Sequence, residues 1–217
     1  MTNKYTTNQS EQFKNKIIVV TGSTQGSGAE TAKLLANRGA KGITICGRNE
    51  EKGNKVKDEI QNLGSECIYV KADLENLKDC RKIISETDKK FKTIDSFINV
   101  AAFTERGTIL STTEENYDKN FKVNVKAPLF MMQDVIKIMI RDKKKGTIAH
   151  IISMAAYSGM PFLTAYSASK GALAIMIKNV ANSVSGHQIR VNGVNLGWTD
   201  TPAETVIQKQ FHNADDD

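Results

Sequence analysis

Tyr166 and Lys170, four residues apart in the run Tyr166-Ser167-Ala168-Ser169-Lys170, are a pair that could move a proton. On a helix, positions i and i+4 share a face. An ammonium beside a phenol stabilises the phenolate and brings its pKa down from about 10 toward neutrality. A phenol so tuned serves as general acid or base for a carbonyl or an alcohol. By spacing alone, an ordinary amphipathic pair fits as well. A second run, Thr21-Gly22-Ser23-Thr24-Gln25-Gly26-Ser27-Gly28, follows a short apolar stretch and opens a helical pattern. In that context glycines let the backbone approach a pyrophosphate, and the helix start offers free N–H groups and a positive dipole end. The spacing is G-x-x-x-G-x-G, and a flexible turn is the plainer alternative. Gly47 and Arg48 stand about twenty residues on, where a dinucleotide fold presents a side chain to the adenosine ribose. A guanidinium there grips a 2′-phosphate bidentately; an acid would bind the ribose hydroxyls instead. Arg48 could equally be a surface residue at the start of the next helix.

The elements that must position these groups alternate along the chain. Lys16–Thr21 is short and β-branched, as a buried parallel strand should be. Gly28–Arg38 turns helical, with Ala32, Leu35 and Ala36 on one face and Gly39 as a stop signal. Further strands are expected at Ile43–Cys46, Cys67–Val70, Ile94–Ile98, Thr147–Ile152 and Ile189–Val194, the last apolar on both faces like an interior strand. Asn49 is placed to cap a helix that carries Glu50 and Glu51 in its first turn and ends at Gly64. Other helices are expected at about Leu77–Phe91, Glu114–Asp142 with an interruption near Pro128, and Ala165–Val184. Six strands alternating with helices predict an α/β doubly wound parallel sheet of the Rossmann type, with helices on both faces. No internal linker shows. The expected organisation is a flexible tail over residues 1–14 and one dinucleotide-binding domain over residues 15–217.

A chain of 217 residues with 40% hydrophobic and 25% charged residues is long enough for one full core. Its net charge of +6 is spread among acids, and the short runs Lys89–Lys92 and Arg141–Lys145 read as solvated faces. Nucleic acid is therefore not expected as a partner. Cys46, Cys67 and Cys80 are odd in number and form no C-x-x-C, which argues against a disulfide framework or a metal site and for a reducing compartment. No apolar stretch is long enough to span a membrane. Residues 1–15 lack the apolar segment of a secretory signal, so the expected location is the cytoplasm.

With its motifs in this order, the chain resembles the short-chain dehydrogenase/reductase family in its single-domain, classical form, from about Phe13 to Pro202. The T-G-x-x-x-G-x-G pattern matches Thr21–Gly28, and Y-x-x-x-K matches Tyr166 and Lys170. A Ser thirteen residues before the Tyr, at a strand end, matches Ser153. The helix Asn matches Asn124, and Arg190–Gly197 looks like the strand after the catalytic helix. The resemblance implies an NAD(P)-dependent oxidoreductase that passes a hydride between a nicotinamide cofactor and a small-molecule carbonyl or alcohol substrate. NADP is favoured over NAD by Arg48. Tyr166 would exchange the proton, Ser153 would hold the substrate oxygen, Lys170 would bind the nicotinamide ribose and tune Tyr166, and Asn124 would support a water leading from Lys170 to solvent. Cofactor contacts are implied for Gly22, Ser23, Thr24, Gln25, Gly26, Ser27, Gly28 and Arg48. They are also implied for Asp73 at the adenine, Asn99 beside the fourth strand, Tyr166, Lys170, Gly197, and Thr199 at the nicotinamide amide. The family also implies a homodimer or homotetramer, paired through the long helix near Pro128 and the Tyr166 helix. Taken alone, Ser153 and Asn124 read as ordinary polar residues, and His150 reads as structural. Trp198 and Phe162 serve either a pocket or the core.

The departures matter too. Asn99-Val100-Ala101-Ala102 stands where the family has N-N-A-G, and Leu196-Gly197 where it has Pro-Gly; small adjustments of the cofactor site are expected. The chain stops at Asp217, short of the family's usual end. The expectation is a C-terminally truncated member, with the seventh strand missing, the sixth left as a sheet edge and the substrate lid unfinished. Two functions follow: an active oxidoreductase, or a non-catalytic dinucleotide-binding or interaction protein on the same scaffold.

Overall fold

The computed structural model describes residues 11–199. Residues 1–10 of the expected 1–14 tail and everything after Thr199, including Pro202 and Asp217, lie outside the described residues. Six parallel strands form one sheet: β1 (Ile17–Thr21), β2 (Gly42–Gly47), β3 (Glu66–Lys71), β4 (Ser96–Asn99), β5 (Thr147–Ile151) and β6 (Arg190–Val194), in the order β3-β2-β1-β4-β5-β6. Six helices alternate with them: α1 (Gly26–Asn37), α2 (Glu50–Asn62), α3 (Leu77–Phe91), α4 (Glu114–Phe121), α5 (Ala127–Arg141) and α6 (Thr164–Ser183). The strand order reverses between β1 and β4, which opens a crevice at their carboxyl ends.

Alternation along the strands divides the core in two. Ile18, Val20, Ile43 and Ile45 pack with Ala32, Leu35, Val56 and Ile60 of α1 and α2. Val19, Cys46, Phe97 and Ile148 pack on the other face with Ile83 and Ile84 of α3, Met131, Met132 and Val135 of α5, and Leu173 and Ile177 of α6. Each of the large apolar side chains removed from water contributes about 1.5–3 kcal/mol. Phe13 packs against the α1/α2 side, and Lys14 bridges Ala40. The domain's packing thus reaches into the residue 1–14 segment whose polar composition suggests a tail.

Local signals explain most boundaries. Asn49 accepts from Lys52 N at 2.9 Å, Asn76 from Lys78 N at 2.9 Å and Thr113 from Asn116 N at 3.1 Å, so α2, α3 and α4 each start on a side-chain cap. Gly64 ends α2 with φ +93°. The expected long helix is broken earlier than Pro128: a π-helical turn over Lys122–Lys126 separates α4 from α5. The break falls near Pro128, as expected. Pro128 has no N–H to give the carbonyl of Asn124 four residues back, and Ala127 N bonds Lys122 O instead, five residues back. The expectation that β6 is left at the edge of the sheet holds among the described residues. Ile189 and Val191 are buried, but Arg190, Asn192 and Gly193 are exposed and Val194 is 48% exposed. No helix among the described residues is long and apolar enough to cross a membrane.

Candidate active site

A cleft of about 510 Å³ lies over the carboxyl ends of the strands. Its floor at one end is the β1–α1 turn. Gly22 has φ +63°, and a Cβ there would stand 2.8 Å from Ala101 Cα and N. A Cβ on Gly28 would overlap the carbonyl oxygen of Gly22. Both positions therefore need glycine: one for backbone conformation and close approach, the other for the helix to sit on the turn. Unlike α2, α3 and α4, α1 starts without a side-chain cap, at Gln25, and with no acid in its first turn. Its first N–H groups are left for an acceptor in the cleft.

Gly22, Thr24, Gln25, Gly26, Ser27 and Gly28 all line this end. Ser23 does not. Its hydroxyl donates to Val20 O at 2.6 Å and accepts from Cys46 N at 3.0 Å, so the side chain staples the turn to β2. Asn99 is likewise behind the wall. Thr21 Oγ1 donates to its Oδ1 at 2.8 Å and accepts from Ala101 N at 3.3 Å, which ties β1 and β4 where they diverge. Arg48 is exposed on the rim beside Gly47, with no ion pair to another described residue. Among the described residues Asp73 and Glu75 are the carboxylates of the lining, both on the β3 side, and Glu75 pairs with Lys119 of α4 at 3.1 Å.

Ser153, Tyr166 and Lys170 line the other end, with Gly197 and Thr199. Ser153 stands just past β5, where its Oγ accepts from Ala155 N at 3.1 Å; its own proton is not used by that bond. The first turns of α6 carry Tyr166 and Lys170, and the Lys170 ammonium lies 5.8 Å from the centre of the Tyr166 ring. Lys170 is 1% exposed and donates to Ile151 O at 2.9 Å. Burial pulls its pKa down to about 8. Asn124 is buried in the π turn and does not reach the cleft surface. It holds the cleft wall from behind, accepting from Phe103 N at 2.8 Å and donating to Phe103 O at 2.9 Å.

The substrate end has parts that single-residue motifs did not reveal. Gly107 and Leu163 form an isolated parallel bridge: Gly107 N donates to Phe162 O at 2.9 Å, and Thr164 N to Gly107 O at 3.1 Å. This clips the loop after β4 to the start of α6. Arg106 stacks over Phe162 at 5.0 Å and near Trp198 at 6.0 Å. Trp198 lines the cleft, while Phe162 backs Arg106. His150 is fully buried; its Nε2 lies 3.3 Å from Met132 Sδ and its ring meets Phe97 edge-on. Burial, and then the Lys170 charge, push its pKa down to about 4. Asn116, Asn120 and Ser169 form a polar file with Asn124. The spacing of three asparagines at i, i+4 and i+8 was the available signal.

Residues 16–211 match the short chain dehydrogenase family. An uncharacterized oxidoreductase of Thermotoga maritima is 33% identical over 187 residues, covering 86% of this chain and 73% of the relative. Galactitol 2-dehydrogenase of Agrobacterium fabrum is 30% identical over 200 residues, covering 92% and 77%. The crystal structure of a dehydrogenase/reductase from Sinorhizobium meliloti superposes with a TM-score of 0.82 at 30% identity, covering 89% of this chain and 76% of that one.

Proposed function

Because the chain belongs to the short chain dehydrogenase family and is an oxidoreductase of that kind, we propose that it interconverts a carbonyl and a secondary alcohol with a nicotinamide dinucleotide, NADP in preference to NAD. The observation that carries this reading is one cleft that joins the glycine turn to Ser153, Tyr166 and Lys170. The residues present fit a dinucleotide. Gly22 and Gly28 leave no room for side chains at the turn, and the uncapped start of α1 faces the cleft. The turn and α1 would hold the pyrophosphate, Asp73 the adenine end, Arg48 the 2′-phosphate, and Lys170 with Thr199 the nicotinamide end. The bound cofactor supplies or accepts the hydride.

The chain's own groups do the rest. In reduction, the Tyr166 hydroxyl gives its proton to the substrate oxygen; in oxidation the phenolate takes it back. Ser153 donates a hydrogen bond to the same oxygen with the proton its cap leaves unused. The Lys170 ammonium, held by Ile151 O, favours the phenolate by charge. Phe103, Met160, Leu163 and Trp198 make the substrate end mainly apolar, which excludes water from the reacting atoms.

Three buried, free thiols suit a reducing compartment, and we place the enzyme in the cytoplasm. Ile175 on α6 is 57% exposed and Leu129 and Ile140 on α5 are 37% and 39% exposed, which supports a homodimer or homotetramer paired through these helices. The deciding experiment is Tyr166→Phe. NADPH turnover with a panel of ketones should fall about a thousandfold, while NADPH still binds in a fluorescence titration. A near-native rate would remove Tyr166 from the reaction.

A further inference from the structure

Behind the cleft runs a polar file that the proton transfer itself does not use. Asn116, Asn120 and Asn124 stand four residues apart, and none is more than 6% exposed. Asn120 Nδ2 donates to the backbone carbonyl of Asn116 at 3.0 Å and to its Oδ1 at 3.1 Å. A carbonyl accepts and cannot donate, so this contact fixes which end of the Asn120 carboxamide faces Asn116. Its oxygen is thereby turned to Asn124, whose Nδ2 donates to it at 3.2 Å. The same nitrogen lies 2.9 Å from Phe103 O and 2.9 Å from Ser169 Oγ, so its two hydrogens are shared among three acceptors. The Asn124 oxygen accepts from Phe103 N at 2.8 Å, so Asn120 and the Phe103 backbone select the same orientation. The Ser169 hydroxyl then donates to the backbone carbonyl of Tyr166 at 2.7 Å. The file passes from α4 across the π turn into the first turn of α6.

Apolar side chains would fill this space at less desolvation cost, but would not select one arrangement; a fully connected polar network does. Selection is needed here. Asn124 sits where Pro128 has taken away a helical hydrogen bond and the turn is widened.

We propose that Asn120 is a positioning residue: together with the Phe103 backbone it holds the Asn124 carboxamide in one orientation, and so steadies the Phe103 wall and, through Ser169, Tyr166. The functional half of this rests on the reading of Tyr166 given above; the structural half does not. Thr and Val have the same shape. A Thr hydroxyl at position 120 donates to the carbonyl four residues back and keeps lone pairs for Asn124. Val does neither.

The Phe103 amide reports directly, since Asn124 Oδ1 is its acceptor. Its hydrogen exchange, followed by NMR on the full chain, should be at least about tenfold faster in Asn120→Val than in the native protein, with protection restored in Asn120→Thr. In NADPH-dependent reduction of phenanthrenequinone, Asn120→Val should lower kcat about tenfold without changing the dissociation constant of NADPH, and Asn120→Thr should recover most of the loss. Equal exchange in the Val and Thr variants overturns the proposal, because Asn120 then only fills space. If the native protein does not turn over the quinone, the exchange comparison still decides the positioning role, and the failure falls on the proposed function alone. Should Asn120→Val not fold, Asn120→Ala against Asn120→Ser makes the same comparison with less bulk.

Discussion

The two ends of the cleft are built by different means. The glycine end is made of backbone from one continuous stretch, Thr21 to Gly28, and its shape depends on atoms that are missing: a Cβ at Gly22 or Gly28 has no place to go. The chemical end is made of side chains from α6, the end of β5 and the π turn, and depends on polar groups being present and paired. The first end tolerates no added atom. A site divided in this way lets binding and chemistry be separated by mutation.

The sharpest test of the division is Gly28→Ala. One methyl driven into the Gly22 carbonyl should cost a hundredfold or more in NADPH affinity, equivalent to roughly 3 kcal/mol, and calorimetry reads it directly. Binding within about threefold of native would mean that the turn moves easily and that the backbone cradle is not the determinant. Next in size is Arg48→Ala. A charged, bidentate contact to the 2′-phosphate is worth roughly 1.5–3 kcal/mol, so NADPH should bind about ten- to a hundredfold more weakly and NADH nearly as before. Equal losses for both cofactors, or a native preference for NADH, remove Arg48 from that role.

The smallest effect concerns the chemical end, where polarity is buried. His150 is held neutral, with a pKa near 4 against an ordinary 6.5. The unfolded chain binds that proton more readily, so the stability His150 contributes is fully present above pH 6.5 and is lost as pH falls toward 4. In His150→Leu, denaturant titrations between those values should show about 1–3 kcal/mol less loss than in the native protein. Identical acid sensitivity would show that His150 is not where the acid lability resides.

The same contrast explains what could be read from the sequence. The strand and helix alternation, the caps at Asn49 and Gly64 and the glycine turn are local, and each is written in a few adjacent residues. Tyr166, Lys170 and Ser153 were found through spacing and resemblance, and the cleft brings all three together. Ser23 and Asn99 lie in the expected runs, but neither side chain lines the cleft: the Ser23 hydroxyl bonds Val20 O and Cys46 N, and Asn99 Oδ1 accepts from Thr21, tying β4 to β1. Which way a residue in a motif points is set by tertiary pairing, and linear pattern does not carry it. The break was expected near Pro128 and falls at Lys122–Lys126, upstream of it, where a proline's missing N–H acts. Asn120 and Ser169 were passed over since a polar residue on a helix is ordinarily solvated, and burial decides the matter only after folding.

The seam between β1 and β4 bears on how the protein is made. Ile17 N donates to Asp95 Oδ2 at 3.0 Å, Thr21 pairs with Asn99, and Gly22 rests against Ala101. Each of these contacts joins residues nearly eighty positions apart. During synthesis from the N-terminus, β1, the glycine turn and α1 leave the ribosome long before the strand that walls them. Closing a loop of that length also slows folding more than it costs stability. A nascent chain that ends before β4 thus carries the complete glycine motif and no pocket. A dinucleotide held at the turn as proposed would meet its complete pocket only once that seam has closed.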